Sequence, residues 1–107
     1  MTTSDERQRE DERRFADEKA QESEAEKRRN RLLGLWAGGL MGLEDQHLQD
    51  YAAAVVRTEL AHGDGEAILR KVAQDLSGSG LKVSEDQVRG KMDEFLAVAR
   101  GQLQAEQ

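Results

Sequence analysis

The sequence predicts an all-α protein: a small four-helix bundle preceded by an N-terminal arm that is disordered or partly helical. Two observations predict this class. The 107 residues contain no Pro and only 4% aromatic residues, whereas β-strands favour aromatic and β-branched side chains. Residues 32–107 repeat apolar side chains at steps of three and four, the spacing of amphipathic helices. We therefore divide the chain into an arm, residues 1–31, and a four-helix domain, residues 32–107.

The arm is dense in charge and poor in large apolar side chains. It carries 10 acidic and 9 basic residues, and Phe15 is its only aromatic residue. Interleaved opposite charges stabilise a helix by only about 0.2–0.5 kcal/mol per pair, and the arm has no apolar stripe to bury. We predict that it is mostly disordered alone and becomes one helix when a partner supplies the packing.

The first helix of the domain begins directly after a basic cluster at residues 27–31. It is expected to continue one to four turns into the arm and to stop at Gly42. Gly34, Gly38 and Gly39 either admit a closely packed neighbouring helix or mark a kink, and the sequence alone leaves both open. The expected buried face consists of Leu32, Leu35, Trp36, Gly39, Leu40 and Leu43.

The second and third helices follow the same periodicity, over about residues 45–62 and 66–76. The expected buried face of the second helix consists of Leu48, Tyr51, Ala52, Val55, Val56 and Leu60. That of the third consists of Ile68, Leu69, Val72 and Leu76.

The fourth helix has the strongest local signature. Ser84 followed by Gln87 fits a capping box, and Val83 with Val88 fits the apolar staple that accompanies it. The expected buried stripe consists of Val88, Met92, Phe95, Ala99 and Leu103, with Leu96 beside it.

Composition argues against several functions. The absence of Cys excludes disulfides and thiolate chemistry. The net charge of −6 disfavours nucleic acid or anionic lipid as the main partner. No Ser/His/acid arrangement has sequence support, so we expect no enzyme activity. His62 lies near Asp64 and Glu66, but three such residues in one loop are common by chance, so we expect an ordinary surface or helix-capping role and no metal, with a pH-sensing role as the alternative.

Two features of the arm have competing interpretations. The basic run Lys27-Arg-Arg-Asn-Arg31 is similar to a nucleic-acid-binding helix, but no leucine repeat of seven residues follows it. A solvated basic face is the simpler interpretation. Phe15 is either an anchor for a partner's pocket or an ordinary exposed apolar residue.

Residues 25–37, Ala-Glu-Lys-Arg-Arg-Asn-Arg-Leu-Leu-Gly-Leu-Trp-Ala, and three later stretches of the chain carry a resemblance to a known family. On these residues the chain resembles the alphaproteobacterial ATP synthase inhibitor, the zeta subunit family. The resemblance covers nearly the whole chain, and residues 28–36, Arg-Arg-Asn-Arg-Leu-Leu-Gly-Leu-Trp, are its most specific part. Three further stretches carry it: Tyr51-Ala-x-x-Val-Val56, Ile68-Leu-Arg-Lys-Val72 and Val88-Arg-x-Lys-Met92.

The resemblance implies a regulatory subunit that prevents ATP hydrolysis by an F-type ATP synthase. Its arm would insert as a helix into the soluble catalytic head, and the bundle would be a second docking surface. The implied arm contacts are Arg13, Arg14, Phe15 and Lys19. The implied joint between arm and domain consists of Arg28, Arg29, Leu32 and Trp36.

The resemblance also sets the expected partners and leaves alternatives. The catalytic head is the expected partner, at the cytoplasmic face of the inner membrane, without nucleic acid or direct membrane insertion. The free chain is expected to be a cytoplasmic monomer without a cofactor, and no residue requires nucleotide binding to the bundle. The family arm carries further aromatics where this chain has Ser4, Asp11 and Ser23. A weakly inhibitory or non-inhibitory accessory subunit, or a nucleic-acid-binding basic helix, is the alternative.

Overall fold

The computed structural model describes the backbone of residues 4–62 and 65–107, and within these ranges the side chains except those of residues 4–8, 10, 11, 15 and 59–62. Four helices account for nearly all of it: α1 (Ser4–Leu40), α2 (Asp45–His62), α3 (Gly65–Gly78) and α4 (Glu85–Ala105). No strand occurs in the described ranges. The predicted all-α fold with four helices is therefore confirmed.

Helix α1 is much longer than the other three. It contains 37 residues, which corresponds to about 55 Å at about 1.5 Å per residue, and the molecule is 65 Å long and 24 Å by 22 Å across. The helix ends where predicted: Gly42 has a φ of 82°, and the Leu43 N–H donates to the Gly38 carbonyl at 2.9 Å. A residue in the left-handed conformation, followed by an N–H that donates back to a carbonyl of the last helical turn, is typical of helix C-termini.

The core lies between the four helices. All four predicted residues of α3 are buried, as are Ala52 and Val55 of α2 and Val88, Met92 and Ala99 of α4. The other predicted residues with described side chains are partly buried: Leu48, Tyr51, Val56, Phe95, Leu96 and Leu103. The predicted contribution of Leu60 lies outside the described side chains. Partly buried apolar side chains complete the core from its rim: Trp36, Met41, Tyr51, Leu81, Val83 and Phe95.

The predicted buried face of α1 is wrong by one position. Leu33 and Ala37 are fully buried, whereas Leu40 is 46% exposed and Gly39 is exposed. The prediction was based on the large apolar residues of α1. In the structure, the buried face of α1 is the one against which α2 packs most closely. This face combines Leu33 with the small Ala37 and with the buried polar residues Arg29 and Asn30.

Gly34 and Gly38 explain that choice of face. A Cβ atom at Gly34 would lie 2.6 Å from the Cα of Ala52, and one at Gly38 would lie 2.6 Å from the Leu48 Cδ1. A Cβ at Gly39 would meet nothing within 4 Å. Of the two alternatives left open by the sequence, close packing of a neighbouring helix is correct for Gly34 and Gly38.

Helix α4 begins as predicted. Ser84 is its N-cap, and the Ser84–Gln87 capping box has both of its reciprocal hydrogen bonds. The helix runs antiparallel to α1, because residues 18–25 of α1 lie beside residues 100–107 whereas Trp36 and Leu40 lie beside residues 83–94. Among the described residues, no helix is long and apolar enough to cross a lipid bilayer.

Candidate functional site

The N-terminal part of α1 extends beyond the bundle, and of its described residues only Glu18 and Gln21 near its base lie beside the end of α4. We call residues 4–21 the α1 extension: every side chain described in it is exposed. Among the side chains of α1 that the structure describes, the first buried one is Ala25, at 1% exposure. The extension is continuous with the packed part of α1. A helix of about 18 residues, about 27 Å long, thus projects from a fixed base.

The residues expected to contact a partner lie on this extension. Arg13, Arg14 and Lys19 are exposed there, while the Phe15 side chain lies outside the described residues. The helix backbone places positions 15 and 19 on one face, four residues apart. Arg14 lies farther around the helix axis from position 15 than Lys19 does, and Arg13 lies farther still. The four positions therefore span more than one face of the helix. Their role as contacts stays a prediction.

The base of the extension is held to the C-terminal end of α4 by two ion pairs. Arg28 donates from Nη1 and Nη2 to the two carboxylate oxygens of Glu106, at 2.7 and 2.6 Å. Arg100 donates from Nε and Nη2 to the two oxygens of Glu22. Such forked contacts are the strongest geometry for an arginine–carboxylate pair. Hydrogen bonds from these arginines hold the pKa of Glu22 and of Glu106 below the usual value of a glutamate.

The predicted joint residues take different positions. Arg28 forms the ion pair just described, whereas Arg29 is only 9% exposed and donates from Nε to the Asn30 Oδ1 at 3.1 Å. Leu32 is partly buried. Trp36 packs against the core, with the Lys91 ammonium 5.9 Å from its ring centre.

The basic run does not form a free cationic surface. Lys27 pairs with Glu24, Arg28 with Glu106, and Arg31 donates to Gln49. Arg29 is buried. Each of the four cations thus has a hydrogen-bond or ion-pair partner within the molecule.

Two grooves flank the contact between α1 and α4. A groove of about 270 Å³ lies at the base of the extension, between Glu18, Gln21 and Ala25 of α1 and Leu103, Gln104 and Gln107 at the end of α4. A wider and more apolar groove of about 580 Å³ lies at the opposite end of the bundle, between Trp36, Leu40, Val83 and Lys91.

Within the described ranges, no three His, Cys, Asp or Glu residues are close enough together to hold a metal ion. The interpretation of His62 and Asp64 lies outside the described side chains.

Sequence reasoning missed several residues of this base. Glu22, Arg100 and Glu106 carry no local signal, because each pair joins residues 78 positions apart. The buried Asn30 is equally unmarked, although its spacing of three from Leu33 and seven from Ala37 fits a helix face. A search that allowed polar residues on that face would have found it.

The comparisons with known proteins agree with the resemblance. A profile of the family described as ATPase inhibitor subunit zeta matches residues 1–102. A protein whose structure was determined in solution by NMR is 38% identical, with a TM-score of 0.68, and the alignment covers 79% of this chain and 96% of that chain. The search of curated proteins finds no match.

Proposed function

The chain belongs to the ATPase inhibitor subunit zeta family, and from this premise we propose that its α1 extension inhibits ATP hydrolysis by inserting as a helix into the catalytic head of an F-type ATP synthase. On this proposal the protein is a regulatory subunit without enzyme activity. It is a monomer when free and joins the head at the cytoplasmic face of the inner membrane.

The observation that carries the proposal is the continuity of α1. One helix contains both the exposed extension and the innermost residues of the bundle, Leu33 and Ala37. A helix that is fixed at one end and free at the other can enter a cleft between subunits. Because it is already ordered, it loses less conformational entropy on binding than a coil would. Rotation of the head's central shaft would then have to displace a folded domain as well as the inserted helix.

The extension's side chains suggest how it is recognised. Arg13, Arg14 and Lys19 are exposed cations that would face carboxylates of the partner, and they would contribute mainly to orientation and association rate. Buried aromatic anchors usually dominate the affinity of such interfaces. Phe15 is the only aromatic residue in residues 1–31, so we propose that it carries most of the affinity and that the inhibition is weak.

A truncation tests the proposal. Purified catalytic head is titrated with the full chain and with residues 22–107, and ATP hydrolysis is measured. The cut is placed at Glu22 because Ala25, Arg29 and Asn30 are buried, and their loss would disturb the bundle. The full chain should inhibit and the truncated chain should not. Equal inhibition by both would refute insertion of the extension, and binding without inhibition by either would favour the accessory-subunit alternative.

A point variant refines the test. Phe15→Ala should raise the concentration needed for half-inhibition by about tenfold or more, the effect of removing an interface anchor of about 1.4 kcal/mol or more. The matched control is Arg57→Ala, an exposed residue of α2 outside the extension, which should leave inhibition unchanged. If both variants inhibit like the unmodified chain, Phe15 is not the anchor.

A further inference from the structure

Two ion pairs cross between α1 and α4 at the base of the extension. Glu22 pairs with Arg100 and Arg28 pairs with Glu106, so the residue numbers increase by six on both helices from one pair to the other. If each ion pair joined residues directly opposite each other on antiparallel helices, the residue number on α4 would fall as the residue number on α1 rises. Because α1 and α4 are antiparallel, the two pairs must run diagonally in opposite directions.

Crossed pairs resist movement in both directions along the helix axes. If α1 slides into the bundle, the Glu22 carboxylate approaches Arg100 but the Arg28 guanidinium moves away from Glu106. If α1 slides outward, the opposite pair is stretched. A forked arginine–carboxylate contact loses its geometry within a small displacement. The core contacts of Leu33 and Ala37 fix the C-terminal half of α1, and the two pairs fix its position against α4 at the base of the extension.

The apolar contacts at this end cannot do the same. The buried residues of the two helices nearest this end are the small Ala25 and Ala99, and Leu103 is only partly buried. Towards the N-terminus from Ala25, the described side chains of α1 are partly or fully exposed. Small apolar side chains interlock little with their neighbours, so they permit helices to slide or tilt.

We propose that Glu22, Arg28, Arg100 and Glu106 are positioning residues that set the direction and free length of the α1 extension, and through them the efficiency of inhibition. This inference rests on the proposed function of the extension. The pairs are largely exposed, with side-chain exposures of 32% and 56% for Arg28 and Glu106 and 55% and 42% for Arg100 and Glu22. Exposed pairs contribute little to global stability, so their effect should be on geometry.

The test measures the geometry in the free, full-length chain. The chain has no Cys, so Ala16→Cys in the extension and Gln74→Cys in α3 introduce two unique sites for spin labels. The distance distribution between the labels is measured for the unmodified pairs, for Arg28→Glu, for Arg100→Glu, and for the charge exchanges Arg28→Glu with Glu106→Arg and Arg100→Glu with Glu22→Arg. We expect each single reversal to broaden the distribution and each exchange to narrow it again.

Inhibition of the catalytic head is measured with the same charge variants in the unlabelled chain. Each single reversal should raise the concentration for half-inhibition about two- to fivefold, the range for an exposed ion pair, and each exchange should restore it. The matched control is Arg89→Glu, which breaks an equally exposed pair with Glu66 in the bundle and should change neither measurement.

Three results would overturn the inference. The distance distribution between the spin labels could stay narrow in the single reversals, or a charge exchange could fail to narrow it again. The distribution could also broaden while the concentration for half-inhibition stays unchanged. If the unmodified chain does not inhibit the head at all, the proposed function fails and the positioning role falls with it. The distance measurements still decide separately whether the crossed pairs fix the extension.

Discussion

Gly34 faces the backbone of α2, and Gly38 makes room for the Leu48 side chain of the same helix. At Gly34 the neighbour of an added Cβ would be the Cα of Ala52 at 2.6 Å, an atom that cannot rotate away. The glycines reduce the intrinsic stability of the helix by roughly 1 kcal/mol each relative to alanine. Close packing of the two helices offsets that cost, which explains glycine at these positions inside a helix.

Gly34→Ala should therefore destabilise the protein by about 1–3 kcal/mol, the range for an overpacked core. Gly39→Ala is the matched control: it lies in the same helix with nothing within 4 Å of an added Cβ, and it should stabilise by about 0.5–1 kcal/mol. Urea unfolding followed by circular dichroism measures both. Similar effects of the two substitutions would mean that the approach of α2 is not limited by Gly34.

Tyr51 links α2 to α3 through a partly buried hydrogen bond. Its Oη donates to the Asp75 Oδ2 at 2.8 Å, and Lys71 donates to the same oxygen at 3.0 Å. Burial, and then the hydrogen bond to Asp75, raise the pKa of Tyr51 above the ordinary tyrosine value of 10.0. The neutral phenol is thus the form that the folded protein stabilises.

The raised pKa of Tyr51 predicts a loss of stability at alkaline pH. Because the folded pKa lies above the unfolded one, the contribution of Tyr51 is complete below pH 10 and disappears as pH rises from there towards the folded pKa. Tyr51 is the only tyrosine, so absorbance of tyrosinate at alkaline pH reports this residue alone. The tyrosinate absorbance should appear only when the protein unfolds or when the pH is well above 10. Tyr51→Phe should remove this part of the pH dependence, and an ordinary titration near pH 10 in the folded state would contradict the prediction.

Helix α4 shows which features of the fold can be predicted from sequence. Its start depends on hydrogen bonds between residues three apart, Ser84 and Gln87, so the relevant chemistry is present in a short stretch. The buried face of α1 depends instead on how closely α2 approaches. The burial of Leu33 in place of Leu40 accompanies the close approach of Ala52 to Gly34, which no local pattern contains. Periodicity therefore predicted the helix but not its inward face.

The capping box predicts a specific cost. Ser84→Ala removes the hydroxyl that accepts from the Gln87 N–H at 3.1 Å, and the free energy of unfolding should fall by about 1 kcal/mol. Ser84→Asp should retain most of the stability that the cap contributes, because a carboxylate caps a helix equally well and its negative charge is favourable at a helix N-terminus. The control Ser77→Ala, at an exposed position in the last turn of α3, should change stability by less than about 0.5 kcal/mol. A loss of the same size at Ser77 would contradict the assignment of the effect to the cap.

The molecule as a whole joins an exposed helix to a folded base. Composition was sufficient to predict that residues 1–31 contain a segment without a core of its own, since only Phe15 and Met1 among them are large and apolar. It could not show where packing begins. The packed part of α1 extends to Ala25 and the ion pair of Glu22, past the change in composition at Leu32. Contacts between distant parts of the chain, such as Arg28 with Glu106, set that limit.

Continuity of α1 between base and extension can be broken at one exposed residue. Ala20→Pro removes a backbone donor from the helix interior and clashes with the preceding turn, at a cost of about 3 kcal/mol or more to a straight helix. Ala20 is exposed and lies outside the buried core. The bundle should therefore melt within about 2 °C of the unmodified protein. The concentration for half-inhibition should rise about tenfold or more if a straight helix must enter the head.

The matched control is Ala20→Gly, which keeps the backbone donor and lowers helix propensity by only about 1 kcal/mol. Its effect on inhibition should be clearly smaller than that of proline, at most about fivefold. ATP hydrolysis by the purified head, titrated with each variant, gives the comparison, and thermal unfolding shows that the bundle is intact. A proline variant that inhibits as well as the unmodified chain would mean that side chains of the extension act without a continuous helix. The length and direction of α1 would then be irrelevant to inhibition, and the crossed ion pairs at its base would have no functional consequence.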